Sequence, residues 1–178
     1  MTPTTSGGLS GEAGGAPAAR PQAHPPRRRR PPAAAEAPAE GEGIAAGQGD
    51  GTDKGDYQAA FALLKNSQYD RAIQSFRRFL GSYPQSPLAE NAQYWLGEAY
   101  YVTKAYPEAL QAFHQVSEKY PQSRKLGDAL LKTGYCYYEL KQWTKAREVL
   151  TQVAQQFPDA SAGRLARQRL DKMAGEKH

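Results

Sequence analysis

A 37-residue period running through the chain beyond residue 55 constrains its fold more than any other feature. Tyr83-Pro84, Tyr120-Pro121 and Phe157-Pro158 recur at that step, as do Tyr69, Tyr106 and Trp143. So do Ala72, Ala109 and Ala146, then Phe76, Phe113 and Leu150, then Ala60, Gly97 and Gly134. Columns kept in register over three copies point to one supersecondary unit stacked on itself, because a single such unit cannot bury its own apolar face.

Inside each copy the apolar spacing is helical rather than alternating. In the middle unit Leu96, Tyr100 and Tyr101 form one stripe, and Ala109, Leu110, Phe113 and Val116 another. Each unit therefore reads as two amphipathic helices. Ser86-Pro87 reads as an N-cap followed by the first helical residue, and Pro107 suits the first turn of a second helix. Pro84, Pro121 and Pro158 stop the helices before them. The pattern predicts paired helices near 56–66 and 69–82, 87–103 and 106–119, and 124–140 and 143–156, with a seventh near 160–174. Ala60, Gly97 and Gly134 on the first helices, with Ala72, Ala109 and Ala146 on the second, let each pair approach closely. The seventh helix carries Ala162, Leu165, Ala166, Leu170 and Met173 on one face, with Arg164, Arg167, Arg169 and Lys172 mostly elsewhere. That is the pattern of a cap with a wet outer side.

Composition marks off the remainder. Residues 1–55 hold 8 of the 13 Pro and 11 of the 17 Gly but no aromatic residue. A segment so poor in apolar surface cannot offset the cost of ordering it. The reading is a disordered linker over 1–55 and a repeat domain over 56–178, with units at about 56–86, 87–123 and 124–160 and a cap at about 160–174. Six basic and six acidic residues cancel in the first part, so the net charge of +5 belongs to the second. So mild a bias does not imply nucleic acid, though an acidic partner surface would be favoured. No stretch approaches the roughly 20 apolar residues of a membrane span. The opening Met1-Thr2-Pro3 lacks the basic start and apolar middle of a secretion signal.

Leu96-Gly97, Tyr100, Tyr106, Ala109, Phe113 and Pro121 resemble the tetratricopeptide signature column for column. Departures are Ala59 and Leu63 in the first unit, Thr133 in the third, Gln93 in the usual Trp position, and a period three residues beyond the usual length of about 34. The implied fold is an all-α, right-handed tetratricopeptide-repeat superhelix of three helix pairs plus a C-terminal capping helix. The phrases YDRAIQSFRRFLGSYPQSPLAENAQYWLGEAYY and YPEALQAFHQVSEKYPQS are similar to the C-terminal domain of the YbgF/CpoB family, cell-division coordinators of the Tol-Pal system. The resemblance covers residues 56–174. It implies a non-enzymatic periplasmic adaptor that binds TolA, and a septal peptidoglycan synthase as a further partner, coordinating outer-membrane constriction with septal peptidoglycan synthesis. The family trimerises through a coiled coil, and residues 1–55 show no heptads, so a monomer or weak self-associate is expected.

In such a stack the first helices line a concave surface. Register assigns to it Tyr57, Phe61, Leu64 and Lys65 from unit one, and Asn91, Tyr94, Glu98, Tyr101 and Val102 from unit two. Unit three supplies Asp128, Leu131, Lys132, Tyr135, Tyr138 and Glu139. Tyrosines bury much area at low entropy cost and serve as interface anchors. The plainer alternative is that some of these rings are core, above all Tyr100 and Tyr137 at the signature positions. Lys65 and Lys132 are expected at the rim, tuning rate and salt dependence.

Sharper chemistry finds little support. Arg27 to Arg30, bracketed by prolines, read as a solvated linker cluster rather than a nucleic-acid grip. The acids of GDGTDKGD at 49–56 do not have calcium-loop spacing. His24, His114 and His178 are scattered, giving no metal cluster and no nucleophile-base set. Cys136 shares a column with Ala62 and Ala99 and reads as buried packing. No glycine-rich phosphate loop precedes a helix in the repeat domain. No cofactor and no enzymatic activity are expected. A second repeat-based reading, an outer-membrane-protein assembly lipoprotein, requires an N-terminal Cys, and the one Cys here is at 136.

Overall fold

The computed structural model describes residues 50–176. The linker expectation for 1–55, including the arginine run, falls almost wholly outside them. All regular structure among the described residues is helical: α1 (Asp53–Lys65), α2 (Tyr69–Ser82), α3 (Ala89–Val102), α4 (Tyr106–Lys119), α5 (Leu126–Glu139), α6 (Trp143–Gln156) and α7 (Ser161–Gly175). Consecutive helices pack on one another, α3 also touches α1, and α7 also touches α5. The result is a tetratricopeptide-repeat superhelix.

From α2 to α6, fourteen-residue helices separated by three residues within a unit and six between units fill the period. Each three-residue turn is built alike. Ser67, Lys104 and Lys141, one period apart, adopt φ of 58°, 64° and 59°. In the first turn Gln68 N–H donates to the Leu63 carbonyl and Ser67 N–H to that of Leu64; the other two repeat this pattern. This is a Schellman closure with a non-glycine residue in the left-handed position. At the longer turns the residue before each proline is excluded from helical geometry, and Tyr83, Tyr120 and Phe157 all sit near φ −128°, ψ 56°.

Some boundaries differ from expectation. The first helix starts at Asp53, not 56, because the Thr52 hydroxyl accepts the Gly55 N–H at 3.0 Å as its N-cap. The Asp53 and Asp56 carboxylates then bind the first unit boundary: Ser86 Oγ donates to Asp53 at 2.8 Å and the Tyr83 hydroxyl lies 3.0 Å from Asp56. The acids of the 49–56 stretch thus have structural partners. Ser86 does not cap α3 directly; its hydroxyl accepts the Leu88 N–H at 3.1 Å in a turn that delays the helix to Ala89.

The core follows the columns. Phe76, Phe113 and Leu150, with Ala72, Ala109 and Ala146, are fully buried. The crossing is tightest where the column is glycine: a Cβ on Gly97 would lie 2.6 Å from the Phe113 ring and one on Gly134 2.7 Å from Leu150. Those side chains would have to shift, whereas unit one carries Ala60 there. One period beyond Gly134 that column reads Asp171, which is exposed. Within α7 only part of the expected face is buried. Ala162, Ala166 and Met173 are buried, whereas Leu165 is 43% exposed. At about 100° per residue Leu165 lies about 60–100° round the helix from the other three, and Arg169 falls at the edge of the stripe between them.

Candidate functional site

Three side chains one period apart shape the first-helix face. Trp95, Lys132 and Arg169 each reach back onto the preceding unit. The Trp95 ring packs 5.1 Å from Phe61, which also stacks on Tyr57 at 6.2 Å. Lys132 Nζ bonds Glu98 at 2.8 Å and sits 5.2 Å over the Tyr101 ring. The Arg169 guanidinium lies 4.4 Å from the Tyr135 ring centre and 4.6 Å from that of Tyr138. The surface is a ladder of aromatic rings, each braced by the next helix. Cations over ring faces contribute about 0.5–2 kcal/mol apiece, depending on exposure.

Placement sorts the expected groove residues. Tyr57, Phe61, Leu64, Asn91, Glu98, Tyr101, Asp128, Lys132, Tyr135 and Tyr138 are half-buried, while Lys65, Val102 and Glu139 are exposed. Two expectations are corrected: Tyr94 and Leu131 are only 6% and 4% exposed. Tyr94 is wedged between Trp95 at 5.2 Å and Phe113 at 5.7 Å, and Lys125 covers its ring at 5.2 Å. Leu131 lies in the third-unit core with Leu150 and Met173. Lys132 is also not a free rim charge: it and Glu98 are 16% and 17% exposed and neutralise each other. Glu98 Oε1 is buried without a hydrogen-bond partner. Tyr100 and Tyr137, read as core, are half-buried against it.

The phenols stay neutral over the physiological range. Burial pushes Tyr57 up to about 12. Burial and then the charge of Glu139 raise Tyr101 further, and burial raises Tyr135 against the opposing pull of Arg169. A row of neutral hydroxyls beside a compensated ion pair can bury apolar side chains and donate hydrogen bonds to carbonyls. Tyr138 already donates to Glu176 at 2.6 Å, so α7 closes the third-unit end. Cys136 is buried, and burial lifts its thiol to about 12. Among the described residues no group of three or more ligating side chains could hold a metal ion, and no helix is long and apolar enough to cross a membrane.

Trp95, Lys125 and Arg169 were not read as site residues from sequence. The available signal was the shared register of Trp95, Lys132 and Arg169, which names the position but not the direction in which it reaches.

Repeated helix pairs, a closed far end and an aromatic ladder without reactive groups define a repeat scaffold for protein interaction. Tetratricopeptide-repeat family profiles match residues 55–124 and 128–160, more than half of the chain between them. The chain belongs to the tetratricopeptide-repeat family. Within it the sequence sides with the CpoB/YbgF group: 42 residues are 57% identical to the cell division coordinator CpoB of Pseudomonas putida, covering 24% of this chain. Another 47-residue match, 45% identical and covering 26% of this chain, is to CpoB of Escherichia coli K12. These matches span 16% and 18% of those relatives' lengths. The fold is also that of the Arabidopsis OM64 tetratricopeptide domain, with TM-score 0.57 and 15% identity over 67% of this chain and 94% of that one. The second such domain of human RPAP3, solved with an HSP70 peptide, aligns with TM-score 0.56 and 16% identity over 65% of this chain and 92% of that one.

Proposed function

We propose that this chain is a non-enzymatic adaptor of the Tol-Pal system in the Gram-negative periplasm. It binds TolA through the first-helix face and so couples outer-membrane constriction to septal peptidoglycan synthesis. The observation that carries the reading is the tyrosine ladder, with Tyr101 at its middle, on repeats that side with CpoB in sequence. Affinity would come from covering Phe61, Tyr101 and Tyr135, while exposed Lys65 contributes mainly to encounter rate.

The test is a titration of the labelled full chain with the periplasmic domains of TolA, following backbone amide shifts. Shifts should cluster on α1, α3 and α5 around Phe61, Tyr101 and Tyr135. Tyr101→Glu should keep its helical circular dichroism and weaken binding about tenfold or more. A folded Tyr101→Glu chain with unchanged affinity refutes the groove, and absence of shifts at concentrations well above micromolar refutes TolA as the partner of this domain.

A further inference from the structure

The two seams between neighbouring second helices are built from the same columns but with different residues. Between units two and three, His114 Nε2 lies 3.4 Å from the Tyr137 hydroxyl, and Lys145 Nζ lies 5.6 Å over the Tyr137 ring. Those three side chains close the seam. One period earlier the same positions hold Arg77, Tyr100 and Glu108. No ion pair joins Arg77 to Glu108 among the described residues, and a cleft of about 880 Å³ opens between α2 and α4. Its lining includes Leu96 and Tyr100 of α3, Leu80 of α2, and Gln111 and Gln115 of α4, with Gln85 at the turn. The cleft lies at the seam where these contacts are absent, and its size lies within the range of about 300–1,000 Å³ typical of ligand sites. It uses a different stripe of α3 from the one that carries Glu98 and Tyr101.

The lining dictates the ligand class. A glutamine side chain offers an amide donor and an acceptor, the complement of a peptide group. Leu80 and the half-buried Tyr100 ring offer an apolar patch for one aliphatic side chain. Glu108 and Lys119 both line the cleft from α4. Eleven residues apart on a helix, they are separated by about 16 Å, the reach of about five extended residues. Among the described residues Lys119 Nζ donates to Gln115 Oε1 at 3.4 Å and joins no ion pair. A neutral saccharide would leave the charges of Glu108 and Lys119 unanswered. We propose that this cleft is a second protein-binding site, taking an extended polypeptide segment of about five residues with a basic side chain toward Glu108 and an acidic one toward Lys119. A chain with ligands on both stripes of α3 could bridge two partners.

The test uses the labelled full chain and a blocked pentapeptide, lysine-alanine-valine-alanine-glutamate, beside the same residues in reverse order and a chitin tetrasaccharide. Only one of the two charge orders meets both Glu108 and Lys119 for a given backbone direction, so one peptide should bind about two- to five-fold tighter, shifting the side-chain amides of Gln111 and Gln115. Glu108→Lys, which copies Lys145 of the next unit and so suits the fold, should erase or invert that preference. Gly81 lines the cleft and a Cβ there meets nothing within 4 Å, so Gly81→Trp should fold and weaken both peptides about tenfold or more. Shifts from the tetrasaccharide but neither peptide would overturn the ligand class. Equal affinity for both orders, unchanged by Glu108→Lys, would overturn the charge pattern. No glutamine shifts up to about 10 mM peptide would overturn the site.

Discussion

Gly163 gives the sharpest test of the packing. It sits in the first turn of α7, where a Cβ would fall within the envelope of the Phe157 carbonyl oxygen and only 2.8 Å from its carbonyl carbon. Both are backbone atoms, so no rotamer change relieves the contact. Clearing the oxygen as well as the carbon requires α7 to retreat by more than about 1 Å, which forfeits roughly half of the dispersion contact along its buried face. Ala162, Ala166 and Met173 supply that face. Burying them is worth about 4 kcal/mol, so Gly163→Ala should lose about 2 kcal/mol. The controls are Gly81→Ala and Gly175→Ala, where nothing lies within 4 Å of the new methyl. Gly81→Ala should gain up to about 1 kcal/mol from helix propensity, leaving a gap of about 2–3 kcal/mol between it and Gly163→Ala. Urea unfolding followed by circular dichroism measures the gap. Hydrogen exchange should show the loss first in α7 amides. A Gly163→Ala chain as stable as Gly81→Ala would refute the close approach.

Three further outcomes are expected. Glu98→Ala leaves Lys132 largely buried and unpaired, and should cost about 1–3 kcal/mol, while adding Lys132→Ala should restore part of it in a double-mutant cycle read by denaturant midpoint. Lys104→Gly relieves a left-handed residue at φ 64° and should raise stability by about 0.5–1 kcal/mol, against a loss of about 0.5–1 kcal/mol for a substitution to Gly at a position with ordinary helical φ. Alkaline pH should destabilise the fold. Tyr57 has its folded pKa raised to about 12, so its contribution is complete below its unfolded value near 10 and is lost as pH rises toward 12. Tyr57 alone accounts for about 2 kcal/mol, and Cys136, raised from 9.0 to about 12, acts in the same direction. Denaturant midpoints that stay level between pH 9 and 11.5 would contradict that burial.

The repeat was legible because its causes are local. Proline before each boundary, the small residue at each crossing and the 3.6-residue spacing act within one unit, and α2, α4 and α6 have the predicted limits. The starts of α1, α3 and α5 were less legible because Thr52, Ser86 and Ser123 act through turn hydrogen bonds that residue type alone does not locate. The left-handed turn residues escaped notice because Ser67, Lys104 and Lys141 are not glycine.

The site divides in the same way. Register alone placed Phe61, Tyr101, Tyr135 and Tyr138 on one first-helix face, since helix geometry fixes which residues share a side. Whether a ring on that face meets solvent or protein depends on the neighbouring unit, about one period away in sequence. Tyr94 is covered because Lys125 arrives from the next unit's turn, Lys132 finds Glu98 across 34 positions, and Arg169 caps two tyrosines from α7. The cleft beside Tyr100 and the side-chain contacts beside Tyr137 differ for the same reason: equivalent backbone positions carry Arg77 and Glu108 in one and His114 and Lys145 in the other. The sequence by itself determined a stack of helix pairs and its aromatic face. Only the packing of one unit on the next decided which residues that stack leaves available to a partner.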